Sequence, residues 1–167
     1  MSYRKQNIFV DILTRQQVFN AIEGADTTKA WTFISNAANL CQTLGYHRYQ
    51  PSKQIDEHSR TAQARLFWTV YRLEKGLSFR LGRPSTIRDE EITLPIDSSD
   101  EALRVTKLQS RIYDQLYSVV GLSRSSDDRG ALARILATEL EGIISETRVN
   151  TFVRRTLFNR YPNTNPN

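Results

Sequence analysis

The sequence is poor in cysteine, histidine and long apolar runs, and each shortage removes a class of function. Cys41 is the only cysteine among 167 residues. Neither an intrachain disulfide framework nor a metal site built on several thiolates can form from this chain. That usage suits a reducing compartment such as the cytoplasm or nucleus. The two histidines, His47 and His58, have ten residues between them. They therefore lack the i, i+4 spacing with an adjacent glutamate that helical zinc hydrolases use, and they read as surface or capping side chains. No stretch approaches the ~18 apolar residues needed to cross a bilayer. The opening MSYRKQNIFVDILTRQQVF has no uninterrupted apolar core of signal-peptide length. A soluble, unsecreted protein is expected. Because that opening reads like the middle of a helix, Met1 is expected to begin a fragment.

Other absences concern order and charge. Period-two alternation between turn signals is scarce, which argues against a β-rich fold. No repeat or linker divides the chain, so its length fits one domain with a sizeable core. Lys and Arg number 23 against 18 Asp and Glu, a formal net charge of +5. The excess is mild and forms no dense block, so it reads as a mixed-charge solvated surface. Gly82-Arg83-Pro84 lacks the further glycines, the lysine and the hydroxyl residue of a phosphate-binding loop.

What the chain does have is helical periodicity. Ile8, Ile12, Val18, Phe19 and Ile22 suggest helical turns ended by Gly24. Asp26, Thr27 and Thr28 can cap a helix carrying Trp31, Ile34, Ala37, Ala38, Cys41 and Leu44, with Gly45 as its left-handed stop. Small Ala37 and Ala38 would let a neighbouring helix approach closely. A long helix is expected from His58 or Ser59 to Leu81, striped by Leu66, Val70, Leu73, Leu77 and Leu81 and ended by Gly82 and Pro84. After it, Ile92 and Leu94 are expected to tuck beneath the helices. Ser98, Ser99 and Asp100 can cap a further helix bearing Val105, Leu108, Ile112, Leu116 and Val119, closed by Gly121, with Tyr113 and Tyr117 covering an edge. Leu132, Ile135, Leu136, Leu140, Ile143 and Ile144 mark another from about Arg129 to Thr147. A last amphipathic piece holds Phe152, Val153, Leu157 and Phe158. The fold class is all-α: a single irregular bundle of about five to seven packed helices with polar loops.

The residues that could carry chemistry mostly have a structural reading. Cys41 lies on an apolar stripe, so a packed thiol is expected rather than a nucleophile. Asp89, Glu90 and Glu91 read as an exposed acidic turn pairing with Arg80, Arg83 or Arg88 rather than as tuned catalytic carboxylates. Arg60, Arg65, Arg72, Lys75, Arg80, Arg83 and Arg88 give the long helix a cationic character. Phe67, Trp68 and Tyr71 would stack on bases only if exposed, and their interleaving with the stripe places them in the core.

Three segments, in order, resemble a known family. Leu44-Gly45-Tyr46-His47-Arg48 follows a helix rich in small residues. Arg65-Leu66-Phe67-Trp68-Thr69-Val70-Tyr71 gives basic, aliphatic, Phe, Trp, two residues and Tyr. Leu81-Gly82-Arg83-Pro84 leads to an acidic and aliphatic exit from Ile87 to Pro95. Together they resemble the middle homology region of fungal zinc-cluster transcription factors. The match covers about Trp31 to Asp97, departing where Tyr46 replaces an aliphatic residue and where Leu73-Glu74-Lys75 replaces leucine, aspartate and a basic residue.

The resemblance implies the regulatory domain of a nuclear transcription factor, spanning residues 1–160, while the composition of YPNTNPN makes 161–167 a disordered tail. It implies no enzyme activity and no cofactor in this chain. Zinc and base readout belong to a cluster expected in a missing amino-terminal part, because Cys41 alone cannot supply the ligands. The implied partners are DNA through that missing part, a small-molecule effector and transcriptional regulatory proteins, with no membrane. A pocket beside His47, Trp68, Tyr71 and Arg83 is the expected effector site, unless those residues simply form the fold. The alternatives are a helical enzyme with an unrecognised site and a basic helical module that touches DNA directly.

Overall fold

The computed structural model describes residues 26–49, 55–96 and 100–160, with side chains as far as Thr147. The helix read over Ile8 to Ile22, the capping Ser98 and Ser99, the side chains Phe152 to Phe158 and the tail lie outside the described residues. Among the described residues five α-helices follow in order: α1 (Thr27–Thr43), α2 (Glu57–Arg80), α3 (Glu101–Ile112), the single turn α4 (Val119–Leu122) and α5 (Ser126–Arg160). The protein is all-α, with no strand among the described residues. The helices pack in series, α1 on α2, α2 on α3 and α3 on α5.

Local chemistry explains the boundaries. Asp26, Asp56 and Asp100 each accept a hydrogen bond from the backbone N–H three residues on, opening α1, α2 and α3. Both α1 and α2 end in the same double hydrogen bond. Gly45 N–H donates to the Gln42 carbonyl and Tyr46 N–H to Cys41, while Gly82 N–H donates to Phe79 and Arg83 N–H to Ser78. That geometry needs a left-handed residue, and the glycines supply it at φ 76° and 62°.

The main core lies between α1 and α2. Ala30, Ile34, Ala37, Ala38 and Cys41 face Phe67, Val70, Tyr71 and Leu77, with Tyr46, Ile87, Leu94 and Leu103 closing the edges. Ala37 and Ala38 have no exposed surface, as close helix approach requires. Tyr46 is 4% exposed and joins this core.

Three details differ from the sequence expectations. The helix after Asp100 does not run on to Val119. It ends at Ile112, widens into a π-helical stretch over Tyr113–Tyr117 and breaks at Ser118, whose ψ of 164° is extended. Val119 is therefore 87% exposed rather than inward, and Tyr117 is 59% exposed. The last helix and the final amphipathic piece are one continuous helix, since nothing between Thr147 and Phe152 stops it. Lastly, the buried face of α2 is rotated from the all-apolar stripe. It includes Phe67, Val70, Tyr71, Glu74, Lys75, Leu77 and Ser78, whereas Leu66 and Leu73 are only partly buried.

Candidate functional site

That rotated face puts a carboxylate and an ammonium into the interior, where each needs a full set of partners. The exit segment after α2 supplies them. Glu74 has no exposed surface. Its Oε1 accepts from Ser78 Oγ at 2.9 Å, from the Thr86 backbone N–H at 2.9 Å and from Thr86 Oγ1 at 3.1 Å. Its Oε2 accepts from Ser85 Oγ at 2.6 Å. Ser78 Oγ also accepts from Trp31 Nε1 at 2.8 Å, so the chain of bonds reaches α1. One buried carboxylate thus ties together α1, α2 and the exit segment.

Lys75 does the same for the next turn. Its ammonium, 5% of the residue being exposed, donates to the Ile87 carbonyl at 2.8 Å and to Ser110 Oγ on α3 at 3.0 Å, and pairs with Asp89 Oδ1 at 3.0 Å. Three protons meet three acceptors. The Tyr71 hydroxyl donates to the same Asp89 oxygen at 3.1 Å, and burial together with that carboxylate pushes its ionisation upward. The acidic turn is therefore not paired with Arg80, Arg83 or Arg88. Asp89 is held by Lys75 and Tyr71, and Glu91 pairs with Arg48, because Lys75 lies beneath the turn.

The four residues singled out from the sequence divide into two places. His47, Trp68 and Tyr71 gather round Phe67, whose ring centroid lies 6.2, 5.2 and 6.2 Å from theirs respectively. Arg83 lies at the opposite end, its guanidinium 4.7 Å over the Trp31 ring. His47 is 6% exposed, not a surface or capping side chain, because the turn after Gly45 folds it back onto Phe67. Its carbonyl accepts from Thr93 N–H at 3.1 Å, whereas its Nδ1 is buried without a hydrogen-bond partner. Burial pulls its ionisation below the usual imidazole value and Arg48 adds to the effect, while Glu91 and the Cys41 backbone oppose it. His58 is exposed.

His47 borders a polar recess of about 360 Å³ with Gln42, Arg48, Thr86, Arg88 and Glu91. Arg83 borders a separate slot of about 10 Å³, no larger than one water needs. Trp68 and Tyr71 line neither. Cys41 is buried and its thiol is pushed up to about 12 by desolvation, which leaves it protonated at neutral pH. Among the described residues no three His, Cys, Asp or Glu side chains gather to hold a metal ion, and no helix is long and apolar enough to cross a membrane.

Four of the seven basic side chains of α2 and its exit have partners, Lys75 among them, while Arg65, Arg80 and Arg88 are exposed. Arg72 pairs with Asp100 at 3.0 Å, Arg83 covers Trp31 and Arg60 lies 5.6 Å over the Tyr49 ring. Sequence reasoning missed Glu74, Lys75 and Ser78 as a unit. The available signal was their spacing from Phe67, which continues the inward positions at steps of three and four.

Comparison with known proteins adds a direct finding. A family model described as fungal specific transcription factor domain matches residues 18–128, about two thirds of the chain. The negative regulator of pleiotropic drug resistance STB5 of Candida glabrata is 28% identical over 70% of this chain and 13% of its own length. Protein STB5 of Saccharomyces cerevisiae is 33% identical over 55% of this chain and 14% of its own. Pyrimidine pathway regulatory protein 1 of Saccharomyces cerevisiae is 29% identical over 63% of this chain and 12% of its own. The chain thus spans a small part of each relative. No solved structure matches it.

Proposed function

The chain belongs to the fungal specific transcription factor domain family, and from that premise we propose that it is the regulatory region of a nuclear transcription factor whose zinc cluster and DNA-reading elements lie elsewhere in the full protein. The observation that carries the reading is the family match over residues 18–128. The chemistry of this chain agrees with it: the one cysteine is packed in the α1–α2 core, so the residues present do not fit a thiolate zinc cluster. A direct DNA-contacting role finds less support, because Arg72, Lys75 and Arg83 already serve Asp100, Asp89 and Trp31, which leaves only Arg65, Arg80 and Arg88 of that cationic run exposed and unpaired among the described residues.

In this reading the region works as a two-state scaffold. The α1–α2 core with its exit segment is the fixed body, and α3 hangs on it through the Arg72–Asp100 and Lys75–Ser110 contacts. An effector or regulatory protein that favours one packing of α3 and α5 on that body changes access to the activating or DNA-binding regions. Among the four residues named from the sequence, His47 borders open space, and Trp68, Tyr71 and Arg83 act by holding the body together.

The test is a transcription reporter driven by the full-length protein with and without residues 26–147. Output or its response to growth conditions should change while occupancy of the target promoter persists. Unchanged output and response would remove the regulatory reading. Lost promoter occupancy would favour the DNA-contacting alternative.

A further inference from the structure

The contact between α3 and α5 is not closed along its length. A groove of about 450 Å³ runs between the two helices, within the range of small-molecule sites. Its floor is Leu108 and Ile143, 2% and 4% exposed. Its ends are cross-helix ion pairs, Arg104 to Glu146 at 2.6 Å and Arg111 to Glu139 at 2.7 Å. Those arginines are two turns apart, so the closed span is ~10 Å.

Two residues between the ion pairs set the chemistry. Lys107 lines the groove and makes no hydrogen bond or ion pair among the described residues. With it, three cations face two carboxylates, leaving one positive charge in excess. Gly142 lies opposite, in the middle of a 35-residue helix. A glycine there costs about 1 kcal/mol against alanine. A Cβ at this position would meet nothing within 4 Å, so packing does not demand the glycine. Its effect is to leave the groove open beside Lys107.

We propose that this groove binds a small amphipathic acid, with its acid head on Lys107 and its apolar body along Leu108 and Ile143 over Gly142. The proposal deepens the regulatory reading by naming the site and chemical class of the effector. The unpaired charge selects an anion. The aliphatic stems of Arg104, Lys107 and Arg111, above the nearly buried Leu108 and Ile143, select a hydrocarbon or aromatic body. The closed ends select a compact ligand, since an amphipathic partner helix needs a groove that continues for several turns. Bound there, the ligand bridges α3 and α5 and stabilises one packing of the two.

The experiment titrates sodium octanoate into the isotopically labelled 167-residue chain and follows backbone amide shifts. Saturable shifts are expected at Lys107, Leu108, Gly142 and Ile143. Octan-1-ol, lacking the charge, should bind about tenfold more weakly, and Lys107→Gln should lower octanoate affinity about tenfold while leaving octanol unchanged. Gly142→Leu should abolish binding of both, with its urea midpoint at or above that of the parent chain. Absence of saturable groove shifts, or unaltered octanoate affinity in Lys107→Gln, overturns the proposal. So does an acidic amphipathic peptide that shifts the groove amides where octanoate does not. A reporter that responds to deletion of the region without octanoate binding overturns this site alone, whereas octanoate binding with a silent reporter overturns the regulatory reading alone.

Discussion

The α1–α2 core and the α3–α5 layer are built from the same helical material but held by different means. Among the described residues, thirteen buried side chains form the first cluster, whereas Leu108, Leu136 and Ile143 are the buried members of the second. In the first, burial is reinforced by the Glu74 and Lys75 bonds, which are shielded from water. In the second, the cross-helix bonds are Arg104–Glu146 and Arg111–Glu139, which stand in solvent and are screened by salt. Exposed apolar side chains also concentrate there: Tyr117, Val119, Val120, Leu122, Ile135 and Ile144 all belong to the second region. The difference assigns rigidity to one part and adjustability to the other.

Substitutions can break or sharpen that contrast. Phe67→Ala empties the centre of the aromatic cluster and should destabilise by about 4 kcal/mol in urea unfolding. Glu74→Ala strands the Thr86 N–H and three hydroxyls and should lower stability by about 3 kcal/mol; a loss under 1 kcal/mol would mean the exit segment is not fastened by that carboxylate. Leu136→Ala, its counterpart in the thinner layer, should cost about 2 kcal/mol, because α5 can settle onto α3 to refill the space. If Leu136→Ala equals Phe67→Ala, the two regions are equally packed and the contrast fails.

Acid tests the first region through His47. Its folded ionisation lies below that of the unfolded chain. Acidification therefore protonates the unfolded chain first, and stability falls as pH drops below about 6.5, with no effect above. Urea midpoints between pH 7.5 and 5.5 should show that slope for the parent chain and lose part of it in His47→Phe. The smallest effect belongs to the second region. Arg111→Ala removes a solvent-exposed pair and should cost about 0.5 kcal/mol at low salt, vanishing near 1 M salt.

The first caps and the glycine stops of α1 and α2 were legible because they depend on local chemistry. Asp26 and Asp100 were readable as caps, and Gly45 and Gly82 as left-handed stops. Phe67 and Tyr71 were legible as core because they interleave with an apolar stripe. The polar clamp was not. Glu74 and Lys75 look like surface residues until the exit segment returns over them, and that return depends on pairing residues 11 to 14 positions apart. His47 was misread as surface because a two-residue turn after Gly45 decides its direction. The break at Ser118 was hidden by apolar periodicity that continues through Val119 although the backbone does not.

Native-state hydrogen exchange of the 167-residue chain tests the central contrast most directly. Amides of Ile34–Cys41 and Phe67–Leu77 should exchange only through global unfolding, while those of Leu136–Ile143 should open at a measurably lower free energy that falls further with added salt. Equal opening free energies for α2 and α5, unchanged by salt, would contradict the account.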